Sequence, residues 1–271
     1  MSLPGLTRQS FILMTKIENY YNKFNEEHRL ETRHGRVEFC VTMKYIEECI
    51  NDRENLSILD LGAGTGRYSV ALAQKGHSVT AVELVEKNRK VIENKHQKGV
   101  HIWPGNALDL SFLSDNTFDI TLIFGPLYHL TSEEEKLKVF ENAKRVTKKG
   151  GFILAAYVMN DYSIIEYCFK KNKIKECLQN KTVTKDFKTV SSKDDLYSYI
   201  SLSDINALNK KSKLQRVKII AADGPADYMR RELNAMDEET FSLFIDYQKT
   251  RAEKIELLGS SSHTVDILLN N

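Results

Sequence analysis

The 271-residue chain predicts an α/β fold: a doubly wound, seven-stranded, mostly parallel sheet with an N-terminal helical extension and a cap insertion after the fifth strand. Three observations predict it. Short apolar and β-branched runs begin near residues 57, 78, 100, 119 and 152, with helical patterns between them, as in βαβ units with right-handed crossovers. The first run leads into three alternating glycines, Gly62, Gly64 and Gly66, before a helix opens at Arg67. The fourth, Phe118 to Phe124, runs into a Gly125-Pro126 turn.

The elements follow in order. Thr15 to Ile50 reads as helical and amphipathic. Val37, Val41 and Tyr45 recur at four-residue spacing, and Phe39, Met43, Ile46 and Ile50 complete a buried stripe. The first strand carries Asp60 to its tip; the helix after it runs to Lys75 and is stopped by Gly76. Ser78 to Val82 forms the second strand and ends at Glu83, and Val100 to Trp103 forms the third, followed by Gly105-Asn106-Ala107. Ser132 to Glu135 is a capping box whose acids suit a helix N-terminus. That helix is expected to end at Lys148-Lys149 and Gly150, before a fifth strand from Phe152 to Tyr157.

Asp161 to Gln179 looks helical, and Asp186 to Val190 and Leu196 to Ile200 look like short strands around a turn. A helix from Asp204 to Lys211, a sixth strand from Val217 to Ala221, helices near Ala226–Leu233 and Glu238–Leu257, and a last strand from His263 to Leu268 complete the chain. No repeat or low-complexity linker divides it. The expected organisation is an extension or lid over 1–50, then one domain over 51–271 with its cap at about 160–200; Asp227 to Leu257 is a further candidate for the cap.

Charge bounds the partners. Lys and Arg number 39 against 37 acids, a net charge of +2, which gives no support to a large phosphate-tracking surface. The clusters at Lys170-Lys171 and Lys210-Lys211 read as solvated helix faces. Cys40, Cys49, Cys168 and Cys177 include no Cys-x-x-Cys pair and read as reduced, packed thiols, with no zinc site or other metal centre. No apolar run approaches membrane-spanning length; Phe11 to Met14 is too short even for a signal segment. A cytoplasmic protein without membrane contact, monomer or homodimer, is expected.

The chemistry concentrates at Asp60-Leu61-Gly62-Ala63-Gly64-Thr65-Gly66. Glycines at this spacing let the backbone turn tightly and approach a ligand, and the following helix aims free N–H groups at it. The spacing is Gly-x-Gly-x-Gly, not the Gly-x-Gly-x-x-Gly of dinucleotide-binding enzymes. With Asp60 ahead of the first glycine, it resembles motif I of the class I S-adenosylmethionine (SAM)-dependent methyltransferases. Arg145 to Phe152 resembles the arginine-to-glycine-glycine post-motif common in the same enzymes.

The resemblance implies roles residue by residue. Asp60, Gly62, Ala63 and Gly64 form the donor loop, and Glu83 holds the ribose hydroxyls, with Leu84 as the apolar plate against adenine. The family usually has Gly-Asp-Ala where this chain has Gly105-Asn106-Ala107; Asn106 can still accept from the adenine amino group but carries no charge. Phe124, Gly125, Tyr128 and His129 fall at the methionine end, where family members often carry a comparable loop. Tyr21 to Phe24 resembles a Tyr-Asp-x-Phe element that folds over the cofactor. His34 to Glu38 resembles a Gly-Arg-Val-Glu-Phe stretch of an uncharacterised bacterial small-molecule-type subgroup; Arg36, or Arg33, is expected to reach the methionine carboxylate.

The implied function is direct displacement of the SAM methyl group onto an acceptor, leaving S-adenosylhomocysteine. A metal is not required. If the acceptor must lose a proton, His129 is the first candidate base and Tyr128 the second. Gly125-Pro126-Leu127-Tyr128 is not the Asp/Asn-Pro-Pro-Tyr of amide and adenine methylation, and no Pro-Cys nucleophile is present, which points to a small molecule. An RNA base as acceptor, a SAM-binding protein without transferase activity and, more weakly, a nicotinamide dehydrogenase stay open.

Overall fold

A computed structural model describes residues 8–23 and 31–271; Phe24, part of the Tyr21-to-Phe24 element, lies outside them, as do the side chains of Phe11 to Met14. Eight strands are present among the described residues: β1 (Ser57–Leu61), β2 (Ser78–Glu83), β3 (Val100–Pro104), β4 (Phe118–Ile123), β5 (Thr147–Met159), β6 (Tyr199–Ile200), β7 (Gln215–Ala221) and β8 (His263–Leu269). Seven make one sheet in the order β3-β2-β1-β4-β5-β8-β7, and β6 adds two residues alongside Val158 and Met159 of β5. β3 to β5 pair parallel through β2, β1 and β4, whereas β8 is antiparallel to both β5 and β7. The sheet is therefore mixed α/β and mostly parallel, as expected, with β6 as the addition.

Helices cover both faces, so strand side chains are buried on both sides and the runs read as continuously apolar. Ile58, Val79, Ile120, Leu154 and Ile267 join one core with Val41 and Ile46 of α2 (Arg33–Ile50). The alternate positions Leu59, Leu61, Ile123, Ile153 and Leu268 join the other, with Val139 and Phe140 of the helix Glu133–Val146. α2 starts cleanly because Thr32 accepts from the Gly35 N–H at 3.3 Å, and it ends at Asn51 in a left-handed conformation. Ahead of it lies α1 (Arg8–Lys23).

The remaining helices are α3 (Arg67–Gln74), α4 (Glu86–Asn94), α5 (Pro126–His129), α6 (Glu133–Val146), α7 (Asn160–Ser163, continued by a π-helical turn Ile164–Phe169), α8 (Ile174–Gln179), α9 (Leu202–Ser212), α10 (Arg230–Ala235), α11 (Glu238–Arg251) and α12 (Ile255–Leu258). None is long and apolar enough to cross a membrane, among the described residues.

Several boundaries differ from the sequence expectation: Glu31 and Thr32 lie outside any helix in the stretch expected over Thr15 to Ile50, the helix expected over Ala226–Leu233 begins at Arg230, and the strand expected over Leu196 to Ile200 is only Tyr199–Ile200. α6 stops at Val146 instead of running to Gly150, because Thr147 pairs with Phe118 and Asn270, after β8, exchanges hydrogen bonds with Gly150 and Gly151. The helix expected over Asp161 to Gln179 breaks after Phe169, with Asn172 at φ 53. Asp186 to Val190 is a turn, not a strand: Phe187 sits at φ 60, and a lone bridge joins Val183 to Thr189. The helix expected over Glu238–Leu257 ends at Arg251, and a second begins at Ile255.

β1 connects to β2 on one side, while the chain returns through β4 on the other. The order of strands reverses there, and the loops after β1 and β4 splay apart at the strand carboxyl ends, where open α/β sheets bind ligands.

Candidate functional site

The loop after β1 is built on left-handed backbone, with Gly62 at φ +75, Gly64 at +56 and Gly66 at +79. The amides of Gly62 and Ala63 donate to the Val82 carbonyl at 2.8 and 3.2 Å, tying the turn to the tip of β2. Across the reversal, Pro126 comes so close that a Cβ at Gly62 would lie 2.7 Å from its Cδ. Only glycine fits both the dihedral and the space.

Two carboxylates serve this turn. Asp60 is buried beneath it and accepts from the Ser69 hydroxyl at 2.6 Å; burial outweighs that bond and pushes the carboxyl up to about 6. Glu83, also buried, stands on the wall of a cavity. Gly64 N–H donates to one of its oxygens at 2.7 Å and Val85 N–H to the other at 2.8 Å, yet burial still pushes the carboxyl up to about 7. Asn88 Nδ2 also donates, at 3.5 Å, to the oxygen held by Val85, so the oxygen held by Gly64 keeps a lone pair for a donor from the cavity.

This cavity encloses about 820 Å³ counting its mouth. Its walls bring together Tyr21, Gly62, Gly64, Glu83, Leu84, Asn106, Ala107, Phe124, Gly125, Tyr128 and His129, all expected from the sequence. Asp60 and Ala63 do not line the cavity; Asp60 is buried beneath the turn, and the Ala63 amide ties the turn to Val82. Asn106 lines the cavity, but its side-chain oxygen already accepts from the Leu108 N–H at 3.0 Å. One lone pair of that oxygen remains for an adenine amino group.

Arg36 is not brought to the cavity. It projects from the outer face of α2, 4.9 Å from the Phe241 ring centre and 3.7 Å from Glu238, and is 41% exposed. Arg33 stacks on the same ring and bonds Glu238 at 2.7 Å and the Leu233 carbonyl at 3.1 Å. Both guanidiniums pack α2 against α11, and Arg33 also bonds α10.

Ile17, Asn88, Gly105, Leu108, Pro126 and Leu130 complete the walls and were missed. Ile17 precedes Tyr21 by one helical turn, a spacing that could have found it.

His129 is buried and its ring is fully ordered by hydrogen bonds. Nδ1 donates to the Leu196 carbonyl at 2.8 Å, so Nε2 carries the lone pair and accepts from the Tyr21 hydroxyl at 2.9 Å. Burial holds the imidazolium form off, pulling the pKa down to about 4. A base this weak, with its lone pair already engaged, positions Tyr21 at the cavity mouth. Tyr128 bonds the Phe124 carbonyl at 3.2 Å.

A second cavity adjoins the first, and Tyr21 and Tyr128 belong to both. Tyr20, Tyr162, Tyr197 and Tyr199 add further rings, and Glu38, Asp223 and Asp227 add carboxylates. Asp223 accepts from Ser261 Oγ at 2.5 Å and from His263 Nδ1 at 2.9 Å, and Asp227 pairs with Arg230. Glu38, Asp223 and His263 offer ligand atoms within 4.8 Å of one another, a spacing that could hold a metal ion. In this arrangement, however, the His263 nitrogen facing Asp223 bears a proton and donates it to the carboxylate.

Comparison with known proteins agrees with this geometry. Residues 59–155 match the model of a methyltransferase domain. The cypemycin N-terminal methyltransferase of a Streptomyces species is 36% identical over 97 residues, 35% of this chain and 39% of that protein. The chain thus spans about two fifths of that relative's length. Among solved structures, the 1,6-didemethyltoxoflavin-N1-methyltransferase of Burkholderia thailandensis, with S-adenosylhomocysteine bound, superposes with a TM-score of 0.58 at 12% identity, covering 99% of this chain and 92% of that one. A SAM-dependent methyltransferase of Methanosarcina mazei gives 0.55 at 16% identity, covering 83% and 96%. These likenesses establish the fold.

Proposed function

We propose that this chain, which carries a class I SAM-dependent methyltransferase domain, transfers the methyl group of SAM to a small-molecule acceptor. The observation that carries the reading is Glu83: a buried carboxylate on a cavity wall, held by two backbone donors and facing the glycine turn, where a ribose would present two adjacent hydroxyls. Gly62 and Gly64 leave room for a ligand against the backbone, Leu84 and Ala107 offer apolar surface to a base, and Asn106 offers an acceptor.

SAM, when bound, supplies a methyl carbon already activated by its positive sulfur. The chain then has to align two molecules and exclude water. α1 contributes Tyr21, held by His129, between the two cavities, and Tyr128 stands at the same junction. Neither residue needs to accept a proton for an acceptor such as a neutral amine, whose nitrogen is nucleophilic without prior deprotonation. An RNA acceptor finds little support: the second cavity is lined by three carboxylates and one arginine, which would repel phosphates.

Titration calorimetry with SAM and S-adenosylhomocysteine tests the reading. Both ligands should bind, and Glu83→Gln should abolish most of the affinity; no binding, or binding indifferent to that substitution, overturns it.

A further inference from the structure

We infer that the tyrosine-walled cavity beside the donor site is the acceptor site and that it takes a small cationic amine, which makes the reaction an N-methylation. The inference rests on the first cavity being the donor site.

Position is the first argument. Tyr21 and Tyr128 line both cavities, so a molecule seated in the second lies one ring away from the methionine end of the first. Wall chemistry is the second. Six of the chain's 12 tyrosines line this one space. Their rings are set at angles to one another: Tyr20 and Tyr197 stand edge to face with centres 6.0 Å apart, Tyr128 and Tyr197 are tilted at 6.0 Å, and Tyr197 and Tyr199 at 6.2 Å. A concave wall of this kind presents electron-rich ring faces, which attract ammonium groups.

Charge is the third argument. Glu38, Asp223 and Asp227 give three carboxylates against Arg230, whose side chain is 54% exposed and meets Asp227 from the solvent side. His34 and His263 lie beside these acids, at 3.8 Å from Asp227 and 2.9 Å from Asp223. An anionic acceptor would meet repulsion here. A neutral hydroxyl acceptor could donate a hydrogen bond to these acids but would draw no charge attraction from them.

The step balances without a further reagent. The bound ammonium releases one proton to water, and its nitrogen lone pair forms the new N–C bond as the C–S bond breaks. The bonding pair passes to sulfur, which becomes a neutral thioether. The methylated product is again a cation.

The test uses the full chain and methyl-labelled SAM, with benzylamine, benzyl alcohol and benzoic acid as probes of one skeleton. Tetramethylammonium, which cannot be methylated, serves as a pure binding probe against tert-butanol. Label should enter the amine at least about tenfold faster than the alcohol and should not enter the acid, and tetramethylammonium should bind where tert-butanol does not. Glu38→Gln should raise KM for the amine about tenfold with SAM affinity unchanged. If that variant fails to fold, Tyr199→Leu should weaken tetramethylammonium binding by a similar factor.

Preferred labelling of the alcohol, transfer that requires added Mg²⁺, or equal indifference to tetramethylammonium and tert-butanol overturns the inference while SAM still binds. Loss of SAM binding in the unmodified chain overturns the donor-site reading itself.

Discussion

Glu83→Gln preserves the shape of the side chain and removes its charge. In the carboxylate, one oxygen accepts from Gly64 N–H at 2.7 Å and the other from Val85 N–H at 2.8 Å. A glutamine has one oxygen, so its NH2 must face one of those buried donors, a loss of about 1–3 kcal/mol. A ribose hydroxyl would also lose a charged acceptor, where such bonds contribute about 1.5–3 kcal/mol. SAM affinity should therefore fall about 100-fold or more by calorimetry, with the circular dichroism of the fold retained.

The same carboxyl links binding to pH. Burial raises it from an ordinary 4.5 to about 7, so between those values the folded chain holds a proton that the unfolded chain has lost. Stability falls as pH rises through that window, by about 3 kcal/mol, and the Gln variant loses this component. Asp60, pushed up to about 6, acts in the same direction, so the difference between the two proteins isolates Glu83. Ribose hydroxyls favour the ionised form, and SAM binding near pH 7 should release a proton. Affinity within about twofold of the parent in Glu83→Gln, or binding heats that do not depend on the buffer's ionisation enthalpy, would refute the reasoning.

Gly62→Ala places a Cβ 2.7 Å from Pro126 Cδ at φ +75, and should cost about 1–3 kcal/mol by thermal unfolding and abolish SAM binding. Tyr21→Phe leaves the buried His129 Nε2 without its donor and should destabilise the chain by about 1–3 kcal/mol. Because His129 is held neutral with a pKa near 4, turnover should show no inflection assignable to it between about pH 6 and 8; an inflection there that disappears in His129→Ala contradicts this. Arg36→Ala removes a ring contact and a 3.7 Å ion pair on an exposed face, so stability should fall by no more than about 1 kcal/mol and SAM affinity should not change.

The first cavity was legible because most of its residues lie in one stretch and each is forced by local physics. Gly62 and Gly64 need positive φ, Asp60 lies one residue before the end of β1, Glu83 ends β2, and Gly125-Pro126 follows the end of β4. Arg36 was misplaced because its chemistry suits a carboxylate, while the Phe241 ring and Glu238 that meet it lie far downstream and leave no local signature. The end of α6 at Val146 was hidden because Asn270, far downstream, bonds Gly150 and Gly151 and holds them in β5 beside β8. His129 does line the cavity, but its weakness as a base comes from burial, which has no local signature.

The two cavities differ in how the chain supplies them. From Gly62 to Leu130 one unbroken stretch makes nearly all of the first, and Ile17 and Tyr21 alone come from elsewhere. The second gathers side chains from α1, α2, the end of β5, the approach to β6 and the loops flanking β7 and β8. Drift in any one of those distant segments can retune what is accepted without touching the segment that grips the common donor. The methyltransferase-domain match, over residues 59–155, spans nearly all of the first stretch but reaches only Tyr128 among the residues that line the second cavity.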